Sequence, residues 1–583
     1  MMVVSIFYAL IMTIFFGMCL YELLMFLTNY PLTLQSSCAI LVSFYLLFHA
    51  ILEVFRRLRP PQTTSGDGGN VQYGPPSYPV LGCLISFYKN RRRLLDWYTH
   101  LLSESPTTTI VISRFGARRT IVTSNPQNVE YILKTNFNNF PKGKSFTEIL
   151  GDFLGRGIFN VDGHLWHIQR KLASHEISSR SFRDYFLRVL MDEVENKLLP
   201  IMDSLALERD KLKLKEEDKE LLSVDLQDLL RRLGFDIICR ITLGVDPCSL
   251  QKNSNSLPVS SLMEAFDKAS EMSAKRGASS MSAIWKVKRF FRLGSEKVLQ
   301  DSIQQIHSFV TNVIQDKRSR KNNNIIKGAE EEDLLSKTMA AVAAEEEEGN
   351  INNSGGVDDV IIRDLMISLI MAGRDTTSAA MTWFFYLLSG HRDIEDEVVK
   401  ELVTVGLSSS SCSDVVLKEL RLLKACLCES LRLYPPVAWD SKHAITDDIL
   451  PDGTRIGAGD RITYFPYGMG RNEHLWGKDK SEFRPERWVI ERGENGASSV
   501  KVLRNVSPYK FPVFQAGPRV CLGKDLAFIQ MKYIVASLLK RFQIVPASSA
   551  MPVFVPFLTA HMAGGFKVFV RRRQTMSSLN QNV

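Results

Sequence analysis

Paired cysteines are scarce in this 583-residue sequence. It holds nine cysteines, an odd number spread over a long chain, so no disulfide framework is implied. Cys426 and Cys428 form a lone Cys-x-Cys with no second pair nearby, which argues against a zinc site. Charge of one sign is also sparse. The net charge of +9 is modest for the length, and no stretch joins a basic stripe to interleaved aromatics, which points away from nucleic acid. No Gly-rich dinucleotide fingerprint follows a strand pattern, so no nicotinamide-binding fold is expected. Internal repeats are missing as well.

Apolar residues are plentiful, at 45% of the chain, enough for one large core. They are concentrated at the start. Residues 2–21 carry no charge and are long enough to span a bilayer. A second, shorter apolar run covers residues 38–52, and Arg56, Arg57 and Arg59 follow it directly. The positive-inside rule puts that end on the cytosolic side. The start lacks the basic n-region of a secretory signal. Residues 60–79 are rich in Pro, Gly, Ser and Thr and read as a linker. The expected layout is a membrane anchor of one or two apolar segments over 1–59, a linker over 60–79, and one large domain over 80–583.

Within that domain, residues 107–123 carry β-branched runs around Gly116 and read as a hairpin. Residues 137–159, aromatic-rich and broken by glycine, read as a loop over a cavity. Residues 211–220 form a solvated charge run. Residues 317–356 and 408–411 read as surface loops.

The sharpest local pattern is Phe-Gln-Ala-Gly-Pro-Arg-Val-Cys-Leu-Gly at 514–523. Gly517 lets the backbone approach a flat partner, and Gly523 relieves crowding just past the sulfur. Arg519 offers a fork of donors to a carboxylate. Phe514 can cover the sulfur of Cys521, and backbone N–H groups can hydrogen-bond its thiolate. Leu526, Ile529, Met531, Ile534, Leu538 and Leu539 recur at helical spacing behind it. This is what a haem with a thiolate ligand needs. The alternative is a buried structural cysteine.

Other patterns support the haem. Trp166 and Arg170, at i and i+4, share a helix face. Residues 357–389 read as one long helix with Ala-Gly-Arg-Asp-Thr-Thr at its centre. There Gly373 removes a side chain, and the Thr376 hydroxyl can bond back to the Ala372 carbonyl. Asp375 can feed protons through water. Glu429 and Arg432 stand at i and i+3, and with Arg487 they can form a buried carboxylate–guanidinium network.

Together these motifs resemble the cytochromes P-450, from about Gly74 to Arg571. Residues 74–82, Gly-Pro-Pro-Ser-Tyr-Pro-Val-Leu-Gly, resemble the proline-rich hinge of the microsomal members. The finer resemblance is to plant fatty-acid omega-hydroxylases, and among them to jasmonoyl-amino-acid hydroxylases. It is carried by Phe-Pro-Lys-Gly-Lys at 140–144, by 151–163, 370–383, 433–443 (Leu-Tyr-Pro-Pro-Val-Ala-Trp-Asp-Ser-Lys-His), 463–471 and 553–565. Trp488 stands where the family often has Phe, and two apolar runs precede the hinge where one is usual.

The resemblance implies a mainly α cytochrome P-450 fold with a small β region, preceded by the membrane segments. It implies one haem b between the long helix and the 514–523 loop. Cys521 would be the axial iron ligand, and Arg519, Trp166 and Arg170 would hold the propionates. Oxygen would bind in the notch beside Gly373, with Thr376 and Asp375 as the proton-handling pair. Electrons would come from NADPH-cytochrome P-450 reductase at the endoplasmic reticulum membrane, with the catalytic domain facing the cytosol. The substrate would be a small amphipathic acid of jasmonoyl-isoleucine type, oxidised at its terminal carbon. Phe137, Phe140, Phe146, Phe153 and Phe159 would flank its entrance. Lys142, Lys144 and Arg156 are candidates for its carboxylate, and Val437, Ala438, Phe557 and Leu558 for the inner wall. The alternatives are a general fatty-acid omega-hydroxylase and a non-catalytic haem-binding membrane protein.

Overall fold

A computed structural model describes residues 64–65, 71–78, 81–114, 117–211, 223–250, 260–278, 282–322, 332–347, 358–406, 413–492 and 500–573. The apolar runs, the arginines at 56–59 and the 408–411 segment lie outside these residues, as do 212–220 of the charge run. Chain contacts separate Met1–Thr64 from Ser65–Val583. Among the described residues, no helix is long and apolar enough to cross a membrane.

The Ser65–Val583 unit is mainly helical, as expected. Nine helices carry the argument: α1 (Lys144–Leu154), α2 (Gly163–Ser178), α3 (Leu226–Leu243), α4 (Ser261–Ala278), α5 (Ser295–Asn322), α6 (Leu334–Glu347), α7 (Asp359–Ser389), α8 (Arg421–Leu433) and α9 (Lys524–Arg541). The sheets are small. Strands β1 (Thr109–Ile112) and β2 (Thr120–Thr123) form the expected hairpin, with Thr109 opposite Thr123. Strand β3 (Asp440–His443) and strand β4 (Arg461–Tyr464) join them in the order β1-β2-β4-β3, with β2 and β4 parallel. A separate hairpin pairs β5 (Phe554–Pro556) with β6 (Ala560–Met562).

Helix α7 is the axis of the unit. Asp358 caps it, its side chain accepting the Ile361 N–H at 2.8 Å. It then runs 31 residues, about 46 Å at 1.5 Å per residue. Apolar side chains are buried on all sides of it, as in a helix at the centre of a large domain. Ile361, Leu365, Met366 and Ile370 join one core with Phe153, Phe235 and Phe266. Met381, Trp383, Phe384 and Leu388 join a second core with α8 and α9. Each such side chain contributes roughly 1.5–3 kcal/mol by leaving water. Two glycines let α3 close on α7. A Cβ at Gly234 would stand 3.0 Å from the Arg374 carbonyl oxygen, and one at Gly373 would stand 2.4 Å from Ile238 Cδ1.

Two expected loops are partly helical. Within 137–159 lies α1, which buries Leu150, Phe153 and Leu154. The glycines that suggested a loop are its boundaries: Gly143 (φ +77°) starts it and Gly155 (φ +49°) ends it. Within 317–356, α5 continues to Asn322 and α6 buries Leu334, Leu335 and Val342. The acidic runs around α6 masked its short apolar face.

Candidate active site

The 514–523 loop is pinned from both ends. The Cys521 N–H donates to the Phe514 carbonyl at 2.8 Å, and Gly523 is the N-cap of α9. Gly517 has φ +65°, and a Cβ there would stand 2.0 Å from the Leu133 carbonyl oxygen. The close partner of Gly517 is therefore protein backbone, which differs from the flat partner the sequence suggested. The Phe514 ring packs on Phe528, with centroids 5.2 Å apart. Leu522, beside the sulfur, packs on the core that contains Ile370 of α7 and Trp166 of α2.

Cys521 is exposed, yet the surrounding protein disfavours its charged form and raises the thiol pKa. The Gly523 backbone and the Arg170 charge act the other way and favour thiolate. Arg170 thus lies within electrostatic reach of the sulfur. Among the described residues its guanidinium makes no hydrogen bond or ion pair.

Arg519 is held beside it. Its Nη2 donates to Asp162 Oδ1 at 2.6 Å and to the Val161 carbonyl at 3.0 Å. Its guanidinium carbon lies 4.5 Å from the centroid of the Trp166 ring. Arg519, Trp166 and Arg170 are thereby brought together, as the sequence suggested.

Behind them lies a network that sequence reading missed. Lys142 Nζ donates to both Asp440 oxygens at 2.9 and 3.0 Å, and Lys442 Nζ reaches Asp440 Oδ2 at 3.2 Å. Tyr464 and Gln515 also donate to Asp440, at 2.8 and 3.1 Å. Burial works against the Asp440 charge, but the two lysines prevail and hold its pKa far below the carboxylate range. Burial lowers the Lys442 pKa to about 7. The available signal was a strand, Asp-Ser-Lys-His, in which all four residues are buried. Lys142 is therefore committed to Asp440 and is not available to a substrate. Lys144 and Arg156 are exposed. Phe140 and Phe153 are core residues at 1% and 0% exposure, while Phe137, Phe146, Phe159 and Leu558 are half-buried around the α7 core.

Three cations (Lys142, Arg519 and Arg170) meet two carboxylates (Asp440 and Asp162) here, with Lys442, whose charge burial disfavours, as a fourth basic group. Buried charge requires balance, so an anionic group fits. An exposed thiol beside these cations suits a haem, whose propionates are anionic.

Across from the loop, α7 exposes a polar notch. Met371, Ala372, Gly373, Asp375 and Thr376 are only partly buried, between the buried Ile370 and Thr377. The Thr376 hydroxyl donates to the Ala372 carbonyl at 2.7 Å, and the Thr377 hydroxyl to Gly373 at 2.9 Å. The absent side chain at Gly373 admits Ile238 of α3, so that glycine serves helix packing, not room for a ligand.

Below the loop, Glu429 is fully buried. It accepts from Arg432 at 2.8 and 2.7 Å, from Arg487 Nε at 3.2 Å and from Trp488 Nε1 at 2.8 Å. Trp488, the departure from the usual Phe, supplies a hydrogen bond that Phe lacks. Arg432 and Arg487 then bind the carbonyls of Lys480 and Trp476 at 2.6 Å each.

The Cytochrome P-450 family profile matches residues 73–560. The chain belongs to the cytochrome P-450 family. It is similar to cytochrome P-450 94B3 of Arabidopsis thaliana, at 51% identity over 92% of this chain and 98% of that one. It is also 51% identical to cytochrome P-450 94B1 of the same plant, over 87% of this chain and 92% of the relative. Cytochrome P-450 94A1 of Vicia sativa is 40% identical over 86% and 91%. The chain is thus a plant-type P-450 of the 94B group, a monooxygenase with a haem-thiolate cofactor, and it takes electrons from a redox partner and uses O2.

Proposed function

We propose that this P-450 hydroxylates the terminal carbon of a jasmonoyl-amino acid of jasmonoyl-isoleucine type. The reaction is R–H + O2 + NADPH + H⁺ → R–OH + H2O + NADP⁺. The haem, when bound, supplies the oxygen-activating chemistry, with its electron richness set by the thiolate. In this reading Cys521 ligates the iron, while Arg519, Trp166, Arg170 and the Lys142–Asp440–Lys442 network hold the propionate edge. Thr376 orients a proton at the oxygen site, and Asp375 resupplies it. The protein chooses which carbon reacts by position alone. Half-buried Phe137, Phe146, Phe159 and Leu558 suit an apolar body. Exposed Lys144 and Arg156 are the remaining cations for a carboxylate.

The single observation that carries the chemistry is the exposed Cys521 thiol within electrostatic reach of Arg170, beside the Arg519–Asp162 pair. The substrate rests on the resemblance in the 140–144 and 433–443 segments. NADPH-cytochrome P-450 reductase at the endoplasmic reticulum is the proposed electron donor. A membrane surface also agrees with the helix at Ser282–Phe290. There Ile284, Val287 and Phe290 are exposed beside Lys286, Lys288 and Arg289.

Jasmonoyl-isoleucine and a medium-chain fatty acid, assayed separately with the reductase, test the substrate. A higher kcat/KM for jasmonoyl-isoleucine is expected. A higher value for the fatty acid would replace this reading with a general omega-hydroxylase, and turnover of neither would overturn both.

A further inference from the structure

Lys144 and Arg156 are exposed, where water weakens any pairing with a carboxylate. A more enclosed pair of cations stands on the four-stranded sheet. Side chains alternate along a strand. In β4, Ile462 and Tyr464 share one face, and Tyr464 meets Asp440 there. Arg461 and Thr463 share the other face. Arg461 is opposite Thr120 of β2 and His443 of β3, and Thr120 is opposite Ile112 of β1. The alternation, carried two residues past Ile112, brings Arg114 to the face of Arg461.

The helix Leu94–Glu104 packs on this face. Its Tyr98 joins Ile110, Ile112 and Val122 in one core and is only 8% exposed. Arg114 and Arg461 lie within electrostatic reach of Tyr98 and of each other. Burial pushes the Tyr98 hydroxyl up to about 12, so it keeps its proton and can donate.

Arg461 Nε donates to Ser441 Oγ at 3.0 Å, and the Arg114 guanidinium carbon lies 4.3 Å from the centroid of the Phe87 ring. Among the described residues, neither guanidinium has a carboxylate within ion-pair distance, and the Tyr98 hydroxyl has no hydrogen-bond partner. Asp440 acts on Arg461 from the opposite face, but Lys142 and Lys442 already share it. Two half-buried cations and a buried hydroxyl donor thus gather without an anion, and partly buried charge calls for one.

This face borders the proposed substrate path. Trp439 packs on Tyr98 with ring centroids 6.4 Å apart. It directly follows Val437 and Ala438, the candidates for the inner wall. At the sheet edge, the His443 N–H donates to the Pro141 carbonyl at 3.0 Å. That bond ties β3 to the segment leading into α1 and the half-buried Phe146.

We propose that Arg461, Arg114 and Tyr98 form the subsite for the substrate carboxylate. The guanidinium forks pair with its two oxygens, and the Tyr98 hydroxyl donates a further hydrogen bond. The apolar body then runs past Trp439 and Val437 toward the oxidised position. The subsite selects acids over their esters. The inference rests on the reading above that the substrate is an amphipathic acid.

The test uses the full haem-loaded chain and measures binding of jasmonoyl-isoleucine and of its methyl ester by equilibrium dialysis. In Arg461→Gln, Kd for the acid is expected to rise at least about tenfold, with Kd for the ester unchanged. Arg114→Gln leaves the Ser441 contact in place and is expected to show the same selective loss. Tyr98→Phe is expected to weaken the acid several-fold. Haem content stays at the wild-type level in all three. Equal weakening of acid and ester would overturn the proposal, because a merely structural role predicts it. Unchanged binding of the acid in folded Arg461→Gln and Arg114→Gln would overturn it too, as would a selective loss in Lys144→Gln alone. A medium-chain fatty acid and its methyl ester separate the two levels. If the wild type prefers the fatty acid and Arg461→Gln loses it selectively, the subsite stands and the jasmonoyl reading falls. If the wild type oxidises jasmonoyl-isoleucine and both arginine variants bind it normally, only this inference fails.

Discussion

Thr376 shows how much a single residue can carry in an apolar helix. Its hydroxyl is tied to Ala372, so the helix locally opens a polar notch without leaving a donor unmet. Thr376→Ala removes the hydroxyl and little volume. The variant should bind haem and substrate normally and consume NADPH, while product per NADPH falls at least about tenfold. Product and peroxide are both measured directly. Unchanged product per NADPH would remove the proposed role. Thr376, Asp375 and Cys521 stand out in the sequence because each is a polar residue at fixed spacing in an apolar context. Asp440 and Lys442 do not, because their partner Lys142 lies about 300 positions away and only the fold brings them together. Lys142 was misassigned for the same reason: a lysine in a loop gives no sign of a buried carboxylate waiting for it.

At the scale of the element, α8 and the segment around Arg487 form one brace. Glu429, Arg432 and Arg487 were readable as a network because i and i+3 spacing puts the first two on one helix face. What spacing did not reveal is that Trp488 and the carbonyls at Trp476 and Lys480 complete it. Removing the Glu429 charge leaves Arg432 buried without its counter-ion, a loss of about 3–5 kcal/mol. Glu429→Gln should therefore yield little haem-loaded protein, measured as bound haem per polypeptide. Wild-type haem loading and urea midpoint in that variant would contradict the brace. The helices missed within 137–159 and 317–356 teach the opposite lesson. Gly143 and Gly155 signal breaks in sequence, yet a break at each end is also what bounds a short helix.

For the whole molecule, orientation and chemistry are linked. The proposed reductase, at the cytosolic face of the endoplasmic reticulum, would reach the haem only if the Ser65–Val583 unit faces the cytosol. Arg56, Arg57 and Arg59 predict that side. Protease added to sealed microsomes should digest this unit, and full protection would contradict the orientation. The mainly helical architecture was readable from helical spacing and the order of the motifs. The way α3 closes on α7 through Gly234 and Gly373 was not, since a small residue within a helix does not reveal what packs on it. The chemistry turns on one sulfur, that of Cys521 beside the cation-rich edge. Reduced, carbon monoxide-bound protein gives the most direct measurement of that point. The wild type should show the red-shifted Soret band of a thiolate-ligated haem, and Cys521→Ala, though folded, should lose it; retention of that band in Cys521→Ala would contradict the account.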